Sequence, residues 1–416
     1  MASCRFFNNE NVMHQDLIKN LTSSVSTVTK AKKLIVISDT TEVNYQTNAG
    51  NLDKNDPNLG PVGNNKDIGF FMHPSIVIDK ADKKLLGCSS LIIWNRSFEK
   101  KDKFQRNYQK LPIEQKESVR WINGATESKS VLKEADEITF VADREADIYD
   151  EFLNVPDTKC HLVVRSRGDR SIVGRVQKLY EYIHSLPPKG KVDLEIKGNH
   201  NRAKRTANLL VKFSEVEIKK PKYHPKKKIA ESIKLNTVLV EENETSAPLG
   251  EKPIRWILLT TKDVKSIEQA LEVIDIYATR WQIEMVFATL KSKGMDIEAS
   301  QLEKGRALKN IAVLSFASAL KINQLRLYRD DDTQTPATLI FSDGEVAFLD
   351  LVVKKYEGQT AKQKNKYPFG TMAWAAWAIS RLGGWKGYAS ESPPGNKTMT
   401  RGWRKFILLY EGYSSF

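Results

Sequence analysis

The sequence predicts an α/β fold, and three observations carry this prediction. Short apolar runs such as residues 33–38 and 137–142 are continuous rather than alternating, which is typical of strands buried on both faces. Segments with helical periodicity, at 111–136 and 144–154, precede and follow the run at 137–142. Between residues 169 and 262 the pattern changes to alternating apolar and polar residues, which indicates antiparallel strands with one solvated face.

The first part of the predicted core covers residues 31–168. Along the chain we predict strand 33–38, a turn-rich segment 44–67, strand 69–79, strand 84–95, helix 111–136, strand 137–143, helix 144–154 and strand 160–167. Pro112 is expected near the first turn of its helix. The order of three strands, helix, strand, helix and strand is ribonuclease H-like, although many α/β domains share parts of it.

The second part is a β-rich insertion over residues 169–262. Its predicted strands are 190–198, 205–220, 233–242 and 254–261, and a lysine-rich loop lies at 219–228. Residues 263–328 then complete the core with two helices. One carries the segment from Tyr277 to Lys291 and the other spans 307–327. A polar linker leads to a tryptophan-rich helical region at 338–416.

Composition favours a reducing compartment and a polyanionic partner. The 416 residues carry a formal net charge of +14. A basic excess of this size favours nucleic acid, although some basic proteins are merely soluble. The three cysteines are far apart and form no Cys-x-x-Cys pair, which argues against a zinc site or a disulfide framework. No signal peptide or membrane span is predicted, so we expect a cytoplasmic protein with no membrane partner.

Two predicted strands end in aspartate, Asp39 and Asp143. Strand carboxyl ends are where side chains meet a ligand in an open sheet. If the two strands are neighbours, the carboxylates approach each other and repel unless a cation lies between them. Mg²⁺ and Mn²⁺ prefer such hard oxygen ligands. A third acid would complete a site for two metal ions, roughly 3.5–4 Å apart.

Glu284 is the candidate third acid. On a continuous helix, Tyr277, Arg280, Glu284 and Lys291 share one stripe roughly 60° wide, beside an apolar face. Arg280 and Lys291 are then placed to hold a phosphate beside the metal ions, and Tyr277 to hydrogen-bond to the same backbone.

Simpler explanations exist for each of these acids. The side chains of Asp39 and Asp143 could each cap the turn or helix that follows by accepting hydrogen bonds from its backbone N–H groups. Glu284 suits an exposed ion pair with Arg280 or Lys291, which contributes little to stability. The combination of two strand-end acids with an acid framed by bases favours the metal site. His73, on a predicted strand, is interpreted as a core histidine.

Several motifs together resemble the DDE transposases of the insertion-sequence-four group, transposon-five type. They are "DTTEVNY" at Asp39, "DREADIYDEF" at Asp143 followed by "VVRSR", and the spacing Tyr277-x2-Arg280-x3-Glu284-x6-Lys291. The resemblance implies that Asp39, Asp143 and Glu284 are the catalytic triad, binding two Mg²⁺ or Mn²⁺ ions. It implies metal-dependent cut-and-paste transposition, with strand nicking, hairpin formation, hairpin opening and strand transfer.

The resemblance also implies DNA contacts outside the triad. Tyr277, Arg280 and Lys291 would grip phosphates, and Trp256 would stack on a base flipped out of the DNA end, with Arg165 and Arg167 nearby. Base stacking of this kind is worth about 1–3 kcal/mol. A core role for Trp256 and ordinary solvation for the two arginines are the competing explanations.

The ends of the chain carry the remaining expectations. Residues 338–416 resemble a dimerisation region, which implies a homodimer joining two transposon ends; a monomeric helical cap is the alternative. Residues 1–30 resemble only the final part of an N-terminal end-binding arm. This departure raises a rival function, a truncated regulator that dimerises and inhibits transposition. A ribonuclease H-like nuclease without transfer activity is a second, separate alternative.

Overall fold

The computed structural model describes residues 6–63, 65–98, 110–196, 204–226, 228–243, 247–248, 251, 253–292, 294–331, 334–360, 363–388 and 391–415. Its strands are β1 (Lys33–Ser38), β2 (Thr41–Asn44), β3 (Gly60–Val62), β4 (Asp67–Asp79), β5 (Leu85–Trp94), β6 (Glu137–Ala142), β7 (Cys160–Arg165), β8 (Gly190–Ile196), β9 (Arg205–Lys219), β10 (Ser232–Glu242) and β11 (Arg255–Thr260). Its α-helices are α1 (His14–Ser23), α2 (Val119–Val131), α3 (Tyr149–Asn154), α4 (Leu179–Ser185), α5 (Ile267–Ala278), α6 (Trp281–Lys291), α7 (Gly305–Tyr328), α8 (Asp343–Tyr356), α9 (Met372–Leu382) and α10 (Asn396–Ser414).

The chain divides into two compact units. The first unit comprises Met1–Lys30, Thr40–Glu99 and Gln282–Phe416, and the second comprises Ala31–Asp39 and Lys100–Trp281. No helix among the described residues combines the length and apolarity needed to cross a bilayer.

The second unit contains a mixed sheet in the order β1, β6, β7, β11, β10, β9, β8. The first three strands run parallel and are almost fully buried, as their continuous apolar sequences predict. The remaining four are antiparallel. β8 alternates between exposed and half-buried residues, as a solvated edge strand does. Helix α5, which begins with a capping box formed by Ser266 and Gln269, packs against β6, β7 and β10.

The first unit combines antiparallel strands with a helical core. β4 pairs with β2, β3 and β5, and α1 packs against α7 and β5. The C-terminal part of α7 packs with α8, α9 and α10 around an aromatic core that includes Trp374, Trp403 and Phe406. Gly402 allows α10 to approach α9 closely, because a Cβ there would lie 1.9 Å from the Ile379 carbonyl oxygen.

The structure confirms each predicted strand over its described residues, which do not include 197 and 198 of the strand predicted at 190–198, and corrects several local predictions. The turn-rich segment 44–67 also contains a 3₁₀ helix and β3, and β2 begins before it. The helix predicted over 111–136 begins only at Val119, and Pro112 instead precedes a 3₁₀ turn. The segment 144–154 is a 3₁₀ turn followed by a short helix. The domain boundaries proposed from the sequence stay predictions.

The predicted continuous helix through Tyr277 and Lys291 is wrong. Helix α5 ends at Ala278, and α6 begins at Trp281. The amides of Thr279 and Arg280 bond to carbonyls three residues earlier, and the Thr279 hydroxyl also donates to the Ile276 carbonyl at 2.7 Å. This tightened turn interrupts the α-helical hydrogen-bond series, so the four signature residues do not form a stripe on one helix.

Candidate active site

Asp39 and Asp143 follow neighbouring parallel strands of the second unit. β1 and β6 pair with Ile37 opposite Val141. Two further residues in this register bring Asp39 opposite Asp143, and paired residues of parallel strands point to the same face. Both residues are half-buried. The carboxylates therefore lie at the same edge and on the same face of the sheet.

Arg280 neutralises the first of these acids. Its guanidinium Nη1 lies 3.3 Å from Asp39 Oδ2, and both side chains are largely buried, with exposed fractions of 17% and 27%. Arg280 occupies the turn after α5, so the interruption of the helix positions this cation. The two residues are 241 positions apart in the chain.

Tyr277 contacts the second acid. Its hydroxyl donates a hydrogen bond to Asp143 Oδ1 at 3.4 Å. Burial, and next the Asp143 carboxylate, raise the pKa of Tyr277, while the nearby Arg280 and Arg165 cations act in the opposite direction. The phenol therefore stays protonated and remains a donor at neutral pH.

The capping explanation for Asp143 is wrong. Asp143 precedes the 3₁₀ turn Arg144–Ala146, but its side chain makes no cap hydrogen bond. The carboxylate is directed to Tyr277 instead. The catalytic role of Asp143 stays a prediction.

Trp256 and Arg165 extend the same face of the sheet. Arg165 pairs with Leu258 across β7 and β11, so its side chain shares a face with Trp256 two residues earlier on β11. Trp256 is half-buried and packs edge-on against Tyr277, with ring centroids 5.2 Å apart. The Arg165 guanidinium donates to the Arg255 carbonyl at 3.1 Å. Trp256 is therefore not a fully buried core residue.

Asp147 is an organising residue that the sequence prediction missed. Its side chain is 1% exposed. One oxygen accepts the backbone N–H of Arg167 at 2.7 Å and of Gly168 at 3.3 Å, and the other accepts Arg170 Nε at 3.0 Å. Arg170 also donates to the Asp147 backbone carbonyl. The carboxylate thus fixes the loop that follows β7, on which the Arg167 side chain is exposed.

The remaining signature residues, Glu284 and Lys291, belong to the first unit. Glu284 is exposed in the first turn of α6. Lys291 forms an ion pair with Glu298 at 3.1 Å, and Glu298 also accepts the backbone N–H of Asn44. Lys291, Glu298 and Asn44 line a pocket of about 480 Å³ in the first unit. In the same unit, His73 is fully buried and bonded to the Thr40 hydroxyl at 2.9 Å, as predicted for a core histidine.

The donor set suits a hard cation in part. Asp39 and Asp143 supply carboxylate oxygens, which Mg²⁺ and Mn²⁺ prefer. Across the described ranges, no group of three or more His, Cys, Asp and Glu side chains is arranged to hold a metal ion. The two aspartates therefore fit as members of a ligand set that further donors complete.

Residues 131–320 match the family model described as "Transposase DDE domain". This range contains Asp143 and the whole Tyr277–Lys291 signature, whereas Asp39 precedes it. This part of the chain is therefore similar to the DDE domain of transposases, which supports the predicted enzyme class. The narrower group and its signature stay predictions.

The chain is also similar to a solved structure described as a piggyBac transposase synaptic complex with hairpin DNA. The sequence identity is 8% and the TM-score 0.31, over 86% of this chain and 63% of that one. The chain thus spans less than two thirds of the length of that protein.

Proposed function

We propose that this protein is a DDE-type transposase that performs cut-and-paste transposition of double-stranded DNA. The steps are hydrolytic nicking at a transposon end, attack of the freed 3′-hydroxyl on the opposite strand to form a hairpin, hairpin opening, and strand transfer into target DNA. The observation that carries the proposal is the shared face of Asp39 and Asp143, bordered by Arg280 and Tyr277.

We assign Asp39, Asp143 and Glu284 as the acids of the reaction. The first two are supported by their positions after β1 and β6. Glu284 is supported by the family resemblance, by its place four residues after Arg280, and by its exposure on α6. Two bound Mg²⁺ or Mn²⁺ ions would activate a water or 3′-hydroxyl and stabilise the departing oxygen.

The neighbouring cations are assigned to the DNA backbone. Arg280 already lies against a carboxylate, so it is held in place before DNA arrives. Its planar guanidinium suits a phosphate, as does the Lys291 ammonium as a point charge. Tyr277, kept protonated by its buried position, orients Asp143 and supplies a hydroxyl to the same surface.

Trp256 is assigned to the flipped base of the hairpin. A half-buried indole, braced edge-on by Tyr277, offers a π-surface that offsets part of the stacking lost when a base leaves the duplex. Arg165, on the same face, and Arg167, on the adjoining loop, contact the backbone near that base.

The wider architecture is part of the proposal. The parallel strands β1, β6 and β7 support a ribonuclease H-like core, and β8–β11 support the β-rich insertion. We propose that residues 338–416 dimerise the protein when two ends are joined. We place the reaction in the bacterial cytoplasm, where the buried thiols of Cys88 and Cys160 would stay reduced.

The test uses the full chain, DNA duplexes made from the ends of the element that carries its gene, and a target plasmid with Mg²⁺. The wild type should nick the ends, form hairpins and join them to the plasmid. Asp39→Asn, Asp143→Asn and Glu284→Ala should each lose cleavage while retaining most DNA binding. Asp136→Asn is the matched control, because Asp136 is exposed just before β6, at the opposite end of that strand from Asp143.

The products distinguish the rival functions. Cleavage of generic duplex without hairpins would identify a nuclease. A chain that neither cuts nor joins, yet suppresses joining by an active relative, would identify a regulator. Mg²⁺-dependent cutting that persists in all three acid variants would overturn the assigned triad.

A further inference from the structure

A lysine-rich loop joins β9 to β10 in the second unit, and the catalytic proposal does not use it. We call residues 219–231 the basic loop; Lys227 lies outside the described residues. Its exposed lysines are Lys219, Lys222, Lys226 and Lys228, of which Lys226 forms an ion pair with Glu114 at 2.6 Å. Tyr223 is also exposed, at 61%, with the Lys222 ammonium 5.7 Å from the centre of its ring.

Specific contacts attach the basic loop to the body of the second unit. His224 Nε2 lies 2.9 Å from Asp150 Oδ2, and the Tyr149 hydroxyl donates to the Ala230 carbonyl at 2.8 Å. Both partners open α3, which follows Asp143 by only a few residues. These anchors lie in the middle and near the end of the loop, so they hold its second half against α3.

The basic loop also adjoins the loop that Asp147 fixes. The Lys219 amide donates to the Ser171 carbonyl at 2.9 Å, and Ile172 forms a β-bridge with Ile218. Ser171 directly follows Arg170, the ion-pair partner of Asp147. The start of the basic loop therefore lies beside the segment that follows the Asp147-bound loop.

We propose that the basic loop is a second DNA-binding surface, which holds the phosphate backbone of duplex DNA beyond the segment at Asp143. The inference rests on the proposed function, which it deepens. An anchored loop that carries several exposed ammonium groups suits a polyanion, and binding releases the counterions condensed on the DNA. Phosphate contacts of this kind position the duplex without reading its sequence.

Lysines at the other end of the unit provide a control. Lys133 is exposed shortly before β6, and Lys265 is exposed just before α5. Both lie at element ends opposite to Asp143 and Tyr277. Replacing them removes the same charge as replacing Lys222 and Lys228. None of the four contributes an anchoring contact of the basic loop.

The experiment measures binding of a generic 40-base-pair duplex by fluorescence anisotropy without Mg²⁺, over a range of KCl concentrations. The slope of log K against log[KCl] is negative, and each lost phosphate contact decreases its magnitude by roughly 0.9. The double variant Lys222→Ala/Lys228→Ala should therefore decrease the magnitude of the slope by up to about 1.8. Lys133→Ala/Lys265→Ala should leave it unchanged, and all proteins should keep the same thermal midpoint.

The outcomes separate this inference from the proposed function. A reduced slope in the loop variant alone supports the second surface. An unchanged slope, or equal reductions in both double variants, overturns it even if the wild type joins DNA ends. A reduced slope together with a wild type that never cuts would keep the surface and reject the transposition proposal.

Discussion

Replacing Asp147 should release the loop that carries Arg167. The carboxylate is almost fully buried and accepts two backbone N–H groups and the Arg170 guanidinium. Removing one partner of a buried ion pair costs about 3–5 kcal/mol, because the remaining charge stays desolvated. Asp147→Ala should destabilise the second unit by about this amount or open the loop locally at similar cost.

Amide hydrogen exchange reads this effect at single residues. A local loss of 3 kcal/mol corresponds to an acceleration of about 100-fold, since about 1.4 kcal/mol is a factor of ten. The amides of Arg167 and Gly168 should exchange faster by this factor or more. DNA binding should weaken as well, because the arginine side chain loses its fixed position.

Asp157→Ala is the matched control. Asp157 also accepts two backbone N–H groups, from Lys159 and Cys160, and an ion pair from Lys129, but it precedes β7 rather than following it. Asp157→Ala should accelerate amide exchange only at Lys159 and Cys160. Unchanged exchange at Arg167 in Asp147→Ala would refute the positioning role. Equal acceleration at Arg167 in both variants would show general unfolding instead.

Three further predictions concern the first unit. Burial, followed by the Lys309 charge, lowers the pKa of His14 from 6.5 to about 4. Between these pH values the unfolded state binds more protons, so the free energy of unfolding decreases as the pH is lowered. In urea titrations, His14→Gln should remove about 1–2 kcal/mol of the stability loss between pH 7 and pH 5. Gly402→Ala should destabilise by about 1–3 kcal/mol through the clash with Ile379, whereas Gly412→Ala, with open space on the same helix, should not lower the thermal midpoint. Lys291→Ala should weaken DNA binding and reduce the salt slope by roughly 0.9, and an unchanged slope would reject its phosphate role.

The sequence determined the elements whose signals are local. Continuous apolar runs indicate β1, β6 and β7, because strands buried on both faces leave no room for alternation. Alternation indicates β8, where one face is solvated. Asp39 and Asp143 could also be identified from the sequence, because each directly follows one of these apolar runs.

Only the tertiary structure decided which distant groups meet. The Arg280 partner Asp39 lies 241 positions away, and the Asp147 partner Arg170 is reached only after β7 folds beside β6. The break between α5 and α6 was also invisible, because residues on either side keep a helical period while a side-chain bond from Thr279 tightens the turn. Periodicity reports the environment of each residue, whereas contact partners depend on strand register and loop closure, which are settled by packing of the whole unit.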